Sequence, residues 1–167
     1  MKENLTAEQR LKRLEDIDAV QKLKARYCNY CDGGWDRPTH DYDGVASLFV
    51  EDGVWDAGPA AGPAEGREAI RELFRGFQAS PFAVHYISNP IIEVDGDTAT
   101  GNWHLLLAIT LGDDRQATWV MGNYNDEFVR TPEGWRFKAL RFTPAAMTPY
   151  ELGWGKAQFP PPPESHS

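Results

Sequence analysis

The sequence has no long hydrophobic run, a deficit of basic residues and only two cysteines. Its longest apolar run, residues 105–109, is far below the roughly 20 residues that a membrane-spanning helix needs. The 17 Lys and Arg residues are outnumbered by 25 Asp and Glu residues, and the resulting net charge of −8 disfavours a nucleic-acid partner. The charged first residues lack the features of a secretory signal. We therefore expect a soluble, cytoplasmic protein that binds neither nucleic acid nor membrane.

The two cysteines, Cys28 and Cys31, form a C-x-x-C motif, which is typical of redox sites and of one half of a zinc site. No second cysteine pair accompanies the motif, and it lies late in a predicted helix. The histidines are scattered along the chain as His40, His85, His104 and His166. The sequence therefore predicts reduced, partly buried thiols that pack as small hydrophobic side chains, and it predicts no metal site.

The N-terminal segment has the signature of a long amphipathic helix. Thr6 and Gln9 form a predicted capping box, and apolar residues then recur every three or four positions from 11 to 30. Gly33 and Gly34 are predicted to end this helix, because paired glycines suit a left-handed C-terminal cap.

Two shorter helical patterns and four strand-like runs follow. The helical patterns lie at residues 42–49 and 67–78, with a loop of Gly, Pro and Ala at 57–66 between them. The strand-like runs are separated by Gly-containing turns that suit hairpins, and they cover residues 82–94, 98–111, 117–129 and 135–143. Helices that come before antiparallel strands indicate an α+β domain, in which a curved sheet wraps around the long helix.

The C-terminal end has no regular pattern. Beyond Thr143 the strand pattern breaks down, and residues 160–163 are prolines followed by a short polar end. Such a segment is typical of a polyproline-like, disordered tail. We predict one domain over residues 1–150 and a C-terminal extension over residues 151–167, and we assign no role to His166.

The second strand has two unlike faces, because side chains alternate along a strand. One face is uniformly apolar and carries Trp103, Leu105, Leu107 and Ile109. The other face is mixed and carries Asn102, His104, Leu106 and Ala108. Ligand pockets combine apolar walls with a few polar groups, so we predict that the mixed face lines the interior.

The other strands add residues to this predicted interior. His85 and Ile87 share a face of the first strand, and Trp119 and Met121 are the candidates from the third. In the last strand, Arg141 is in phase with Trp135, Phe137 and Ala139. The placement of His104 and Arg141 assumes regular alternation, because a one-residue bulge reverses the parity of a strand.

A polar set emerges from separate parts of the chain, and its members are Tyr27, Asp32, His85, His104 and Arg141. Each has a structural alternative: Tyr27 and the histidines can fill the core, Asp32 can be a solvated helix end, and Arg141 can be a surface charge. A carboxylate at a helix C-terminus opposes the helix dipole, which favours a compensating partner such as an imidazole. The acidic residues between positions 36 and 56 are interpreted as a solvated loop.

Six short motifs stand out along the chain. They are Ala25-Arg26-Tyr27, Tyr30-Cys31-Asp32, and residues 46–55, 65–70, 124–129 and 134–137. Together they resemble the SnoaL-like family of the nuclear-transport-factor-2-like superfamily. The resemblance covers residues 8–143. It implies a cystatin-like cone, in which a long N-terminal helix and two shorter helices pack on a strongly curved, mostly antiparallel mixed sheet. The cone would enclose a pocket that opens at one end.

Within this superfamily the sequence is similar to the branch that contains scytalone dehydratase, bile-acid 7α-dehydratase and hexachlorocyclohexane dehydrochlorinase. These enzymes eliminate water or HCl without a cofactor, and they pair an Asp on the first helix with a His on the sheet. The resemblance implies that Asp32 and His85 form this pair. It also implies catalytic roles for Tyr27 and Arg141, and a second pocket histidine at His104. The long insertion at residues 33–43 departs from the family pattern.

The expected function is that of a cofactor-independent and metal-free lyase of the dehydratase type. Its partner would be a small hydrophobic, oxygenated molecule held by His104, Trp119, Met121, Leu106, Ala108 and Ile87. An isomerase or a polyketide cyclase begins with the same proton abstraction, and a noncatalytic ligand-binding or assembly subunit is a further alternative. We expect a homodimer or homotrimer.

Overall fold

The computed structural model describes residues 5–58, 62–112 and 114–159. The predicted proline-rich tail at residues 160–167 lies outside them. Three helices and six strands occur in the described chain. They are α1 Ala7–Cys31, α2 Tyr42–Ser47, β1 Phe49–Asp56, β2 Pro63–Glu65, α3 Arg67–Phe77, β3 Ala83–Asp95, β4 Thr98–Leu111, β5 Gln116–Thr131 and β6 Gly134–Pro149.

These six strands form one sheet in the order β2-β1-β6-β5-β4-β3. β1 is parallel to β6, and every other neighbouring pair is antiparallel. The helices pack on this curved sheet, so the predicted α+β class and mostly antiparallel mixed sheet are confirmed. None of the described helices has the length and apolar character of a membrane-crossing segment.

Both ends of α1 follow from local sequence. The predicted capping box is present, because Gln9 N donates to Thr6 Oγ1 at 3.2 Å and Thr6 N donates to Gln9 Oε1 at 2.8 Å. Such a cap contributes about 1 kcal/mol. The helix ends where predicted, but its C-cap is Asp32 in an extended conformation. Gly33 is required there because a Cβ would lie 2.6 Å from Pro38 O, and the left-handed residue is Gly34, with φ 100°.

Two segments are more regular than predicted. The short strand β2 lies within the segment predicted as a loop and pairs with the end of β1. β6 continues to Pro149, beyond the predicted end at Thr143. The chain then returns along this strand, and Met147 N donates to Gln158 O at 2.8 Å. Part of the predicted C-terminal extension therefore packs on the sheet.

A β-bulge at Lys138 reverses the alternation of β6. The register between β5 and β6 shifts between Glu127 and Phe128, which leaves Lys138 as an extra residue. Upstream of the bulge the odd-numbered residues of β6 are buried. Downstream of it even-numbered residues such as Phe142 are buried, and Arg141 is exposed.

The interior face of β4 is the uniformly apolar one, so the prediction for this strand is wrong. Trp103, Leu105 and Leu107 are buried, and His104 and Leu106 are exposed. Burying a large apolar side chain contributes about 1.5–3 kcal/mol, which decides the orientation of the strand. The polar groups of the interior come from other elements.

The half of the interior beside residues 16–24 of α1 is filled with side chains, and we call it the filled half. Lys24 and Asp126 form an ion pair there, with 2.8 Å between Nζ and Oδ2 and no exposed side-chain surface. Lys24 Nζ also lies 3.2 Å from the centroid of the Tyr124 ring. Burial raises the pKa of Asp126 to about 6, although Lys24 acts in the opposite direction. The aromatic residues of this half are Phe49, Trp103, Phe128, Trp135 and Phe137.

Candidate active site

The half of the interior beside residues 27–31 of α1 is hollow, and we call it the hollow half. It encloses a cavity of about 610 Å³, a size that suits a ligand of a few rings. Apolar side chains from several elements form its walls, and those of α3, β4 and β6 include Phe74, Phe77, Leu105, Leu107, Ile109 and Phe142.

Asp32 is placed at this cavity by the way α1 meets β3. Its backbone N–H donates to Cys28 O at 2.8 Å and completes the last turn of the helix. The next residue, Gly33, exchanges two backbone hydrogen bonds with Ala83, at 3.0 and 3.2 Å. This bridge brings the Asp32 carboxylate beside His85, two residues further along β3.

The predicted contact between Asp32 and His85 is confirmed. Asp32 Oδ1 lies 2.7 Å from His85 Nδ1 and accepts a second hydrogen bond, at 2.9 Å, from the backbone N–H of His85. The side chains are only 11% and 6% exposed. Hydrogen bonds from His85 offset the unfavourable position of a carboxylate at a helix C-terminus.

A loop arginine also compensates the C-terminal end of α1. Arg37 donates from Nη2 to Asn29 O at 2.8 Å and from Nε to Asp32 O at 3.4 Å. α1 has no basic residue in its own last turn. The insertion at residues 33–43 therefore supplies the positive charge that the helix end lacks.

The hydrogen bond to Asp32 assigns the tautomer of His85. An ionised carboxylate only accepts hydrogen bonds, so Nδ1 carries the proton that points to Asp32. In the neutral ring, Nε2 then has a free lone pair. His85 lines the cavity, so this arrangement is suited to taking a proton from a bound molecule and returning it.

Tyr27 lies on the same cavity, as the family resemblance implies for a site residue. Its hydroxyl accepts a hydrogen bond from Trp55 Nε1 at 2.9 Å, and its ring meets that of His85 edge-on at 6.4 Å between centroids. Burial raises the pKa of Tyr27 well above its ordinary value. The hydroxyl therefore keeps its proton near neutral pH and can donate it in a hydrogen bond.

The predicted residues of β4 do not face the cavity. His104 is exposed, with Nδ1 3.0 Å from Asn89 Nδ2, and Leu106 and Ala108 lie on the same outer face. Their prediction as wall residues is wrong because the uniformly apolar face of the strand takes the interior. Ile87 does face inward, but it packs against the core and does not line the cavity.

The remaining predicted residues also lie on the outer face. Trp119 pairs with Ala108 and Met121 with Leu106, so both follow the outer face of β4. Arg141 is turned outward by the bulge in β6, and its Nη1 donates to Glu127 on the surface. These three predicted placements are wrong, and the bulge at Lys138 is the physical reason for the last one.

His40 also belongs to the cavity wall, a position that the sequence does not predict. It lies in the insertion at residues 33–43 and is 5% exposed. His40 immediately precedes Asp41, the N-cap of α2, and no periodic pattern in the loop predicts whether its side chain points inward or outward. Only the path of the loop, which returns to α1, reveals its position.

The two cysteines are buried free thiols, as predicted. Burial raises the pKa of Cys28 to about 12 and also raises that of Cys31, which lines the cavity. Neither is a thiolate near neutral pH. Across residues 5–58, 62–112 and 114–159 there is no group of three or more His, Cys, Asp or Glu residues arranged to hold a metal ion.

Comparison with known proteins agrees with the resemblance inferred from the motifs. The SnoaL-like domain matches residues 12–141, and the chain belongs to this family. An uncharacterized protein of Mycobacterium tuberculosis is 40% identical over 129 residues, which are 74% of this chain and 81% of the relative.

Solved structures show the same fold. An NTF2-like protein with a cystatin-like fold from Novosphingobium aromaticivorans has a TM-score of 0.65 at 27% identity, with 87% of this chain and 92% of that chain covered. The hexachlorocyclohexane dehydrochlorinase LinA-type3 from Novosphingobium barchaimii has a TM-score of 0.71 at 24% identity, with 91% and 99% covered. The family includes dehydratases, dehydrochlorinases and cyclases.

Proposed function

We propose that the protein is a cofactor-independent lyase that eliminates water from a small alicyclic, steroid-like or polyketide-like ketone. The observation that carries the proposal is the 2.7 Å contact between His85 Nδ1 and Asp32 Oδ1 at the wall of an apolar cavity. A single backbone acceptor would satisfy the N–H of a core histidine, so a buried carboxylate partner favours a proton-transfer role. Membership of a family that includes dehydratases supports this assignment.

The first step is the removal of a proton from the carbon next to the ketone. His85 Nε2 takes this proton, and the electron pair of the C–H bond moves to the carbonyl oxygen to form an enolate. Asp32 stabilises the imidazolium that results, because its carboxylate already accepts the Nδ1 proton. The apolar wall strengthens both interactions by excluding water.

Tyr27 is the group that we assign to the developing negative charge on the ketone oxygen. Its hydroxyl is oriented by Trp55 Nε1 and retains a proton to donate. Arg141 is not available for this role, because its side chain points away from the cavity to Glu127.

The second step is the departure of the hydroxyl group at the β carbon. The enolate electron pair re-forms the carbonyl, the new carbon–carbon double bond forms, and the carbon–oxygen bond breaks. The His85 imidazolium returns its proton to the departing oxygen, so water leaves and the neutral imidazole is restored. One histidine therefore acts first as base and then as acid.

The experiment is an incubation of the purified protein with a panel of cyclic β-hydroxy ketones in D₂O. Proton NMR reports the exchange of the α hydrogen, and mass spectrometry reports the loss of water. We expect both with at least one member of the panel, and both should disappear in His85→Ala. Exchange without loss of water would instead favour an isomerase or a cyclase.

Binding of the same ketones without exchange or turnover would contradict the proposal. That outcome would favour a noncatalytic ligand-binding or assembly subunit. The comparison is direct because affinity and exchange are measured on one sample, so an inactive preparation that no longer binds is recognised.

We also propose that the chain forms a homodimer or homotrimer through the outer face of the sheet. Tyr86, Leu106 and Met121 are neighbours on β3, β4 and β5 of this face, and Tyr86 is 61% exposed. An exposed apolar row of this kind favours association. Light scattering should give a multiple of the 18.8 kDa chain mass, and Leu106→Glu should lower it. A monomer in the unsubstituted protein would contradict this.

A further inference from the structure

His40 is a buried cavity side chain for which the proposed elimination has no role. Its ring packs against two aromatic residues of α3, with centroids 6.0 Å from Phe74 and 5.8 Å from Phe77. Apolar side chains are the ordinary filling for such a place. An imidazole there needs a reason other than packing.

The backbone holds this imidazole at the cavity in an unfavourable conformation. His40 has φ 54°, in the left-handed region that residues other than glycine rarely adopt. Its N–H donates to Cys31 O at 3.1 Å, and the N–H of Asp41 donates to Tyr30 O at 2.7 Å. These two bonds tie the loop to the last turn of α1 and orient the side chain. Strain of this kind is concentrated at functional sites.

His40 also has an unsatisfied polar atom. Nδ1 is buried and has no hydrogen-bond partner among the residues that the structure describes. An unsatisfied buried group costs free energy, because its hydrogen bonds to water are lost and none replaces them. Two other buried side-chain atoms share this property, Asp126 Oδ1 and Thr148 Oγ1, but neither residue lines the cavity.

The charge state of His40 suits a neutral ligand oxygen. Burial lowers the pKa of His40 to about 4, His85 lowers it as well, and Asp32 acts weakly in the opposite direction. The ring is therefore uncharged near pH 7 and offers one N–H donor and one lone pair. A hydroxyl or a carbonyl group matches either of them, and Nε2, unlike Nδ1, is not among the enclosed atoms.

We infer that His40 is a second polar subsite of the cavity, which hydrogen-bonds an oxygen atom of the ligand on the α3 side while His85 contacts the ligand on the β3 side. The ligand class is then a compact cyclic molecule that carries two oxygen functions on different sides of its ring system. The inference rests on the proposed function in that the same cavity receives the ligand, but it requires binding and not turnover.

The test compares the affinities of naphthalene, 1-naphthol and the set of dihydroxynaphthalene isomers, measured by calorimetry. In the unsubstituted protein at least one diol should bind about 5- to 10-fold more tightly than 1-naphthol, as expected for one added neutral hydrogen bond. His40→Phe should bind naphthalene as well as the unsubstituted protein does, and it should lose the gain from the second hydroxyl.

Two further variants and one control make the comparison sharper. His40→Asn places an amide near the position of Nδ1, and His40→Gln places one near the position of Nε2, so at least one should keep part of the gain. Asparagine also tolerates the left-handed backbone, which protects the test against a misfolded Phe variant. His104→Phe is the matched control on the outer face, and it should keep the full gain.

The ¹⁵N signal of the His40 ring distinguishes a ligand-binding histidine from a purely structural one. Binding of the preferred diol should shift this signal in the unsubstituted protein and also in His85→Ala. The inference is wrong if no diol gains over 1-naphthol, or if His40→Phe retains the gain. Failure of the proposed elimination would appear separately, as unchanged α-hydrogen exchange in His85→Ala.

Discussion

The filled and hollow halves of the interior are built from the same helix and the same strands, yet they treat buried polar groups differently. In the filled half, Lys24 is buried directly against Asp126, and neither side chain has exposed surface. In the hollow half, His85 is paired with Asp32 on one side of its ring, and both His85 and His40 line the cavity. One half uses polar groups to complete a core, and the other presents them to a ligand.

Along α1, residues that stabilise the fold therefore lie apart from residues that we assign to the reaction. The buried Lys24–Asp126 ion pair is part of the folded core and has no role in the proposed reaction. The His85 ring is held through Nδ1 by Asp32, and its Nε2 can act on a bound molecule while contributing little to folding. Substitutions in the two halves should therefore affect different measurements.

The largest effect is expected from the pair in the hollow half. His85→Ala should lower α-hydrogen exchange or turnover by roughly two to four powers of ten, because the proton acceptor is lost. Asp32→Asn should be nearly as harmful, because an amide cannot stabilise the imidazolium. Rates come from NMR in D₂O, and circular dichroism checks that the variants fold.

The double variant of this pair tests whether the two residues act together. It should be little worse than the poorer single variant, because members of one catalytic unit are not additive. A chelator should leave the rate unchanged. Additive losses, or inactivation by EDTA, would contradict a metal-free acid-base pair.

The next largest effect should come from the filled half and appear in stability. Lys24→Met leaves the Asp126 carboxylate buried without its cation, which should cost about 3–5 kcal/mol of unfolding free energy. Urea denaturation measures this. Lys24→Met with Asp126→Leu should recover most of the loss, because a well-packed apolar pair replaces a buried ion pair at little cost.

Turnover per folded molecule is the control for this second comparison. It should remain unchanged in Lys24→Met under conditions where the variant is folded. A loss of turnover as large as that of His85→Ala would mean that the filled half takes part in the chemistry, and the contrast between the halves would fail.

A smaller effect concerns the pH dependence of stability in the hollow half. The folded protein lowers the pKa of His40 to about 4 from its ordinary value of 6.5, so the unfolded chain binds more protons between these values. The stabilisation is present above pH 6.5 and is lost as the pH falls towards 4. The groups that act on this titration are His85 on β3 and Asp32 at the end of α1, since the α3 neighbours are phenylalanines.

The measurement is the difference between the unsubstituted protein and His40→Gln. Between pH 7 and pH 4 the unsubstituted protein should lose roughly 2 to 3 kcal/mol more unfolding free energy than the variant. Asp126, whose pKa is raised to about 6, has the opposite sign, but it is common to both proteins and cancels. Parallel pH profiles would show that His40 titrates normally.

The smallest effects are expected on the outer face. His104→Ala removes an exposed ring that contacts only an amide, and Arg141→Ala removes a surface ion pair with Glu127. Each should change unfolding free energy by less than about 1 kcal/mol and leave turnover within twofold. A large loss of turnover in either variant would mean that the outer face, and not the hollow half alone, contributes to the site.

Much of the fold could be predicted because the deciding signals are local. The capping box at Thr6, the helical periodicity up to residue 30 and the turn residues between strands each act within a few positions of the chain. The sheet extends beyond the prediction at β2 and at the end of β6, where pairing with a distant strand overrides a weak local pattern.

The site was only partly predictable because a pocket depends on nonlocal geometry. Asp32 and His85 were found because a carboxylate at the end of α1 needs a partner and the family motif supplies one. Arg141 was misplaced by one extra residue at Lys138, which no local signal marks. His40 was missed because its position depends on where the loop returns, and no periodicity describes that.

The loop of residues 34–39 is anchored to the rest of the site at both ends. Gly33 is bonded to Ala83 on one side, and His40 is bonded to Cys31 on the other. Between these two anchors, residues 34–38 are exposed. Exposed side chains between these two anchors, such as Trp35 and Asp36, can therefore change over generations while the carboxylate of Asp32 and the imidazoles of His40 and His85 keep their positions.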